Sequence, residues 1–428
     1  MATKLGKYKR SVSIIGVGCT PFMRTTDPAN PELQGYTEGE LFGWAAMEAM
    51  QDAGIEAKDI DYYYHTQAGV MQSNYGTPAV MVGDWCGLRG KGAAHHSEGC
   101  CGGYIAVDVA ANMIASGKYD IVLTGGVEMA TSIFIPGKPA HMRQHLGPDA
   151  LWQGVDVLVD RAYSRGMGLT NSQVYMDMVL DKYCREFGLT VEQMDDVMNA
   201  LAISSRRSAS MTDRALYRTP FEDLAKEAGF SDVMEYMRSD YNPKLSRYLR
   251  TSGWEATCEC AGVVILCATE IAHQFKQQPI EILGMGMSTI ETRQPDVEEK
   301  ATAEALRQVY EMTGLSGADL DLIYANDFAI PSQLLAAELS GYIPRGEGWK
   351  YIMDGRTAYD GDKPINTNGG RSCGHAWAAS GLCDHYEAVK QMRGQCGARQ
   401  VKKLPETVLL RGYGGIQNVT AGILRTVQ

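Results

Sequence analysis

The chain has 428 residues, a net charge of −11, and 45% apolar against 21% charged residues. That balance fits a globular protein of two or three domains or one large duplicated core, and its acidity argues against a nucleic-acid partner or an anionic membrane surface. No apolar run reaches the length of a bilayer span. The eleven cysteines, odd in number and scattered, argue against a disulfide framework and for a reducing, cytoplasmic setting.

The basic start MATKLGKYKR lacks the apolar core of a secretory signal. SIIGVGCT (13–20) then reads as a strand broken by Gly-x-Gly. A helix follows, opened by the capping box Thr37 to Glu40 and closed at Gly54, before the strand-like YYY (62–64). SEGCCGG (97–103) is a glycine-rich turn that runs into an apolar helix, and DIVLTGG (120–126) is the next strand. EILGMGMS (281–288) repeats the first strand. A helix capped by Asp296 repeats the first helix, and MTGLSGADLDLIY (312–324) repeats DAGIEAKDIDYYY (52–64). A later helix from about 379 ends at Gly394 before TVLLRGYGG (407–415). The pattern predicts two similar α/β halves, residues 1–130 and 255–428, with mostly parallel strands. Between them, 131–254 reads as an inserted, largely helical lid, including 171–188 and 189–210. Neither Gly-x-Gly completes G-x-G-x-x-G, which argues against a dinucleotide loop.

Cys100 sits where a turn enters a helix, and the positive helix end favours a thiolate there. Its neighbour Cys101 reads as an inert core thiol. A cysteine nucleophile needs a base and oxyanion donors. The equivalent loop of the second half, NTNGGRSCGHAWAASG (366–381), offers His375. If the halves pack about a pseudo-two-fold axis, His375 faces Cys100. Cys258-Glu259-Cys260 is a cysteine pair without a second half, so no metal is expected in this chain.

These motifs resemble the thiolases. Cys100 and Gly103, followed by GGVE (125–128), match the family's nucleophile region, and ANDFA (325–329) matches its Asn-Glu-Ala-Phe. Gly374-His375-Ala376 matches its Gly-His-Pro, and GYGGIQ (412–417) matches its C-terminal Cys-x-Gly-Gly loop. The resemblance implies a duplicated five-layer αβαβα fold and CoA-dependent cleavage of a 3-oxoacyl-CoA. Cys100 would carry the acyl group. His375 would activate the thiol and, with a water held by Asn326, stabilise one oxyanion. The backbone N–H groups of Cys100 and Gly414 would hold the other.

The family's second cysteine is missing: Gly412 stands in one of its places, and Asn326-Asp327-Phe328-Ala329 in the other. Cys373 is the candidate replacement at the α-carbon. The small residues Gly412, Ala376 and Ala378 suggest room for a branched or aromatic acyl group. Arg206 and Arg207, with Arg143 and Arg214, are candidates for the CoA phosphates. The resemblance is nearest to sterol-carrier-protein-like and archaeal thiolases, and within these to the benzoylsuccinyl-CoA-cleaving type. It implies a homodimer core with a small zinc-finger/OB-fold DUF35 subunit that holds any zinc. The alternatives are a retro-aldolase of the same fold, a ketoacyl-synthase-like condensing enzyme, and a non-catalytic carrier.

Overall fold

The computed structural model describes residues 5–25, 35–68, 77–131, 172–289, 297–414 and 418–427. Strand β1 (Val12–Cys19) leads to α1 (Glu38–Ala53), β2 (Tyr62–Gln67), α2 (Pro78–Trp85) and β3 (Gly92–Ser97). Then come α3 (Gly102–Ala115) and β4 (Ile121–Met129). The region between the halves contributes α4 (Ser172–Phe187), α5 (Val191–Ser210), α6 (Phe221–Glu227) and α7 (Val233–Arg238). Next are β5 (Glu259–Ala268), β6 (Ile280–Thr289), α8 (Val297–Thr313), β7 (Leu322–Ala325), α9 (Pro331–Leu339) and α10 (Gly348–Met353). The chain closes with α11 (Trp377–Met392), β8 (Thr407–Gly414) and β9 (Asn418–Thr426).

The strands form one sheet in the order β3-β2-β4-β5-β1-β6-β9-β8-β7. Read outward from the centre, each side repeats the other, and the repeats abut where β1 and β6 pair antiparallel. Among the described strand pairs, β2–β3, β2–β4 and β7–β8 are parallel and the other five antiparallel. The expectation of mostly parallel strands is therefore corrected. The last strand of each repeat, β5 or β9, returns antiparallel between its neighbours. Because β5 pairs with β4 and β1, residues 259–268 belong to the first repeat, and the second begins at β6. The expected boundary at 255 sets β5 with the second half, because the insertion separates β5 in sequence from the strands it pairs with.

Local signals account for the matching parts. Thr37 Oγ1 accepts from Glu40 N at 3.2 Å while the Glu40 carboxylate accepts from Thr37 N at 2.8 Å. The left-handed Gly54 ends α1, and the left-handed Gly314 follows α8. Asp296 lies outside the described residues. Both Gly-x-Gly strands are bulged, between Ile14 and Gly16 and between Ile282 and Gly284. A Cβ on Gly18 would lie 2.0 Å from Ala45 O, and one on Gly286 2.4 Å from Ala305 O. These glycines seat α1 and α8 on the strands, which is why the pattern stops short of a nucleotide loop.

Three apolar clusters fill the layers. The central one joins α3 and α11 to strands of both repeats. An outer one lies under α1, and another lies under α8 and α9. Helices α4 to α7 share a fourth core with Ala329, Ile330, Leu334 and Leu335. The inserted region is thus seated on the second repeat. Its helices break at the left-handed Gly188, after which Thr190 and Gln193 make a capping box.

The two central helices meet at glycines. A Cβ on Gly103 would lie 2.4 Å from Ala378 O and 2.7 Å from Leu382 N, and one on Gly381 2.8 Å from the Tyr104 ring. The neighbour at Gly103 is backbone, which has little room to yield. Gly103→Ala should therefore lower stability by ~1–3 kcal/mol through overpacking, read as a lower urea midpoint at unchanged m-value. An unchanged midpoint would show that the helices do not touch there.

Candidate active site

Cys100 lies in the single turn Gly99–Cys101 that feeds α3, with Gly99 at φ +50°. The backbone at 414 lies against that turn: a Cβ on Gly414 would sit 3.0 Å from Cys101 Cβ and 3.1 Å from Cys101 N. Cys101 is fully buried and its Sγ donates to Asn418 O at 3.1 Å, as expected of a core thiol. Cys100 keeps an accessible edge.

His375 is completely buried, just ahead of α11. Its N donates to Ala256 O at 2.8 Å, and its O accepts from Cys258 N at 3.0 Å, so it runs beside residues 256–258. This brings Glu255 to the imidazole, and Nδ1 hydrogen-bonds the Glu255 carboxylate. Nε2 is buried and has no partner among the described residues. With Nδ1 held by a carboxylate, Nε2 is the nitrogen left to take a proton.

Burial first, and the Glu255 charge second, push the Cys100 thiol well up; Arg371 opposes them. Burial and the Glu255 charge thus oppose the thiolate that the positive helix end favours. The same carboxylate therefore bonds His375 and acts on Cys100. The first turn of α3 also meets that of α11, since a Cβ on Gly102 would lie 2.9 Å from Ala378 Cβ. Glu128, from GGVE, accepts from Ala68 N at 2.6 Å.

Asn326 follows β7 and is fully buried. Its N donates to Arg411 O at 2.8 Å and its Nδ2 to Tyr413 O at 3.0 Å, while Oδ1 accepts from Phe328 N at 3.2 Å. It pins the 326–328 loop to the end of β8. Glu255 N donates to Phe328 O at 2.9 Å, which ties that loop to the His375 segment. Asp327 accepts from Arg371 N at 2.9 Å and from Gln333 Nε2 at 2.6 Å. Burial raises its carboxyl to about 6.

Gly412 is closed off: a Cβ there would lie 2.3 Å from Thr420 Oγ1 and 2.5 Å from the Tyr104 ring. Tyr104 fills the space a thiol at 412 would need. Ala376 and Ala378 are also fully buried, so the expected strip of room for a bulky acyl group is corrected. Cys373 packs with Ala209 and Ala215, and its sulfur lies 3.8 Å from Ser372 Oγ.

The basic candidates are engaged within the chain. Arg206, 9% exposed, stacks on Phe221 and Tyr217, with ring centroids 4.4 and 5.2 Å away. Arg207 pairs with Glu222, and Arg214 with Glu48 at 2.7 Å. Arg143 lies outside the described residues.

Two features escaped sequence inspection. Glu255 is 120 positions from His375, and nothing local marks it. The other is the buried pair Arg371–Asp384, with Nη1 donating to Oδ1 at 2.9 Å and Nη2 to Tyr104 Oη at 3.1 Å. Tyr104 in turn donates to Asp384. The signal available was a pair of charges inside otherwise apolar, glycine-bounded segments.

Since the Glu255 charge opposes Cys100 ionisation, Glu255→Gln should lower the pH midpoint of Cys100 alkylation by iodoacetamide. An unmoved midpoint would separate the carboxylate from the thiol.

The chain matches the family model described as thiolase, N-terminal domain, over residues 12–219, and that described as thiolase C-terminal domain-like over residues 287–425. It is 27% identical to an acetyl-CoA acetyltransferase of Methanothermobacter thermautotrophicus, over 95% of this chain and 97% of that one. It is 25% identical to the benzoylsuccinyl-CoA thiolase subunit BbsB of Thauera aromatica, over 96% of each. The solved Ltp2-ChsH2(DUF35) aldolase superposes with a TM-score of 0.73 at 19% identity, over 98% of both chains. The two domain models cover β1 to β4 and α8 to β9, and with them the glycine-bounded loops that carry Cys100 and His375: the chain belongs to the thiolase family of acyltransferases.

Proposed function

We propose that the chain is a CoA-dependent thiolase that cleaves a 3-oxoacyl-CoA through an acyl group on Cys100. The observation that carries this is His375, with Nδ1 bonded to Glu255 and Nε2 buried without a partner among the described residues, linked to Cys100 through the same carboxylate.

A thiol held up by burial ionises only when its proton has somewhere to go. In this reading His375 Nε2 takes the Cys100 proton as the sulfur attacks the 3-keto carbon. The carbon–carbon bond breaks, leaving the acyl group on sulfur and an enolate of the departing acyl-CoA. The imidazolium, stabilised by Glu255, then returns the proton to the enolate carbon. CoA thiol attacks the acyl-cysteine, its proton passes to Nε2, and Cys100 leaves and is reprotonated. One imidazole backed by a carboxylate thus closes the proton balance without a second thiol. A water held by Asn326 and the N–H groups of Cys100 and Gly414 serve as the oxyanion donors. Removing one such donor typically costs ~10²–10³ in rate.

The substrate assigned is an aryl-bearing 3-oxoacyl-CoA of the 2-benzoylsuccinyl-CoA type, yielding benzoyl-CoA and succinyl-CoA. Likeness to BbsB over nearly the whole chain supports this. So does a row of rings beside Glu255 and Gly414: Trp254 lies edge-on to Phe328 at 5.6 Å, and Phe328 stacks on Tyr413 at 5.4 Å. A DUF35 subunit as working partner is supported by the likeness to the Ltp2-ChsH2(DUF35) aldolase. A homodimer core completes the assembly.

The test is peptide mass spectrometry of the chain, mixed with its DUF35 partner and quenched with 2-benzoylsuccinyl-CoA or acetoacetyl-CoA. An acyl adduct on Cys100 is expected, faster with the aryl substrate. Cys100→Ala should abolish cleavage, Glu255→Gln should reduce it by ~10²–10⁴ as loss of general acid–base catalysis does, and Cys373→Ala should leave thiolysis intact. Cleavage by Cys100→Ala without adduct would establish the retro-aldolase instead. A large loss in Cys373→Ala would return the α-carbon proton to that thiol.

A further inference from the structure

Three thiols distant in sequence meet in the central layer. Cys19 ends β1, Cys260 lies near the start of β5, and Cys383 lies in α11. They are 2%, 0% and 1% exposed. Cys383 Sγ is 3.0 Å from Cys19 Sγ and 3.4 Å from Cys260 Sγ, and Cys19 and Cys260 are 3.9 Å apart. All eleven cysteines are free thiols, yet these three alone, among the described residues, bring their donor atoms within 4.8 Å of one another.

A single buried cysteine packs as a small hydrophobe, but three sulfurs converging on one point make a soft donor set. Metal–sulfur bonds of about 2.3 Å in a tetrahedral site put sulfurs about 3.8 Å apart. Cys19 and Cys260 already have that spacing, and Cys383 needs to withdraw by under about 1 Å. A disulfide requires about 2.05 Å and uses only two of the three.

The surroundings complete the set. Thr20 O lies 3.2 Å from Cys19 Sγ and 3.4 Å from Cys260 Sγ, as a further oxygen donor. Thr20 Oγ1 approaches Cys260 Sγ at 3.5 Å while accepting from Ala261 N at 3.0 Å, which fixes its orientation. A cavity of about 10 Å³, lined by Cys19, Cys383, Arg214 and Glu387 among others, adjoins two of the three cysteines; this is on the order of one water. Arg214 supplies positive charge on that side, shared with Glu48. Cys258, the sequence neighbour considered as a ligand, is not in the group.

We propose that Cys19, Cys260 and Cys383 bind one thiophilic d10 cation, Zn²⁺ or Cu⁺. Each sulfur exchanges its proton for a bond to the metal, and the protons pass to solvent; nothing is oxidised or reduced. The ion joins β1 and β5 of the first repeat to α11 of the second, the helix that begins two residues after His375. It does not depend on the thiolase reading and is separate from any zinc in a partner subunit.

The full chain, purified under reducing conditions from zinc- and from copper-supplemented cultures, is assayed by elemental analysis. About one equivalent of one of the two ions per chain is expected, with the two cultures distinguishing them. Cys260→Ser and Cys383→Ser should hold less than a tenth of that. Because a core variant can unfold, wild-type chain is also stripped by chelator and reloaded with Zn²⁺ or Cu⁺. Reloading should raise its thermal midpoint and take up the ion stoichiometrically. Failure of the reduced wild-type chain to retain or rebind either ion would overturn the proposal. So would undiminished metal in folded Cys260→Ser, or a Cys19–Cys383 disulfide in its place.

Discussion

The fold and the site both depend on the crossing of α3 and α11. Gly103 and Gly381 remove the side chains that would hold these helices apart, so the carbonyl of Ala378 comes against the first turn of α3. Each helix follows a short loop, and each loop carries a candidate site residue, Cys100 or His375. Bringing the axes together therefore brings the Cys100 turn to the start of the helix that His375 precedes. The duplicated sheet serves the same end: its repeats pair back to back through β1 and β6, and one central layer is shared between them.

Burial sets the chemistry of what is enclosed there. Arg371 and Asp384 are almost completely buried and pair with one another, with Tyr104 as the third member. A pair of this kind adds little net stability, but losing one member leaves a charge uncompensated in the core. It therefore fixes how the 370–375 loop meets both helices. Glu255 works at the edge of the same region. Its charge joins burial in raising the Cys100 thiol, and its carboxylate bonds the His375 ring.

Much of this arrangement was legible in the sequence. The capping box at Thr37, the glycine ends at Gly54 and Gly314, and the two Gly-x-Gly strands show the duplication because each reports a local backbone requirement. The thiolase resemblance follows from loops that are contiguous in sequence. What was hidden depends on long-range pairing. Strand β5 lies beyond the insertion, so its membership in the first repeat is a matter of sheet register. Glu255 reaches His375 only because residues 256–258 run beside the 373–375 loop. The space lost at Gly412 on β8 is set by Tyr104 on α3, and no spacing rule reveals that Arg206 is turned onto Phe221 and Tyr217 instead of outward.

The central claim is that Glu255 holds the His375 proton on Nδ1 and leaves Nε2 to receive the proton of Cys100. Nitrogen-15 NMR of imidazole-labelled protein reads this directly. A proton held on Nδ1 by Glu255 should give a downfield Nδ1–H resonance that is lost in Glu255→Gln. A neutral ring protonated on Nε2, with no change when Glu255 is replaced, would contradict it.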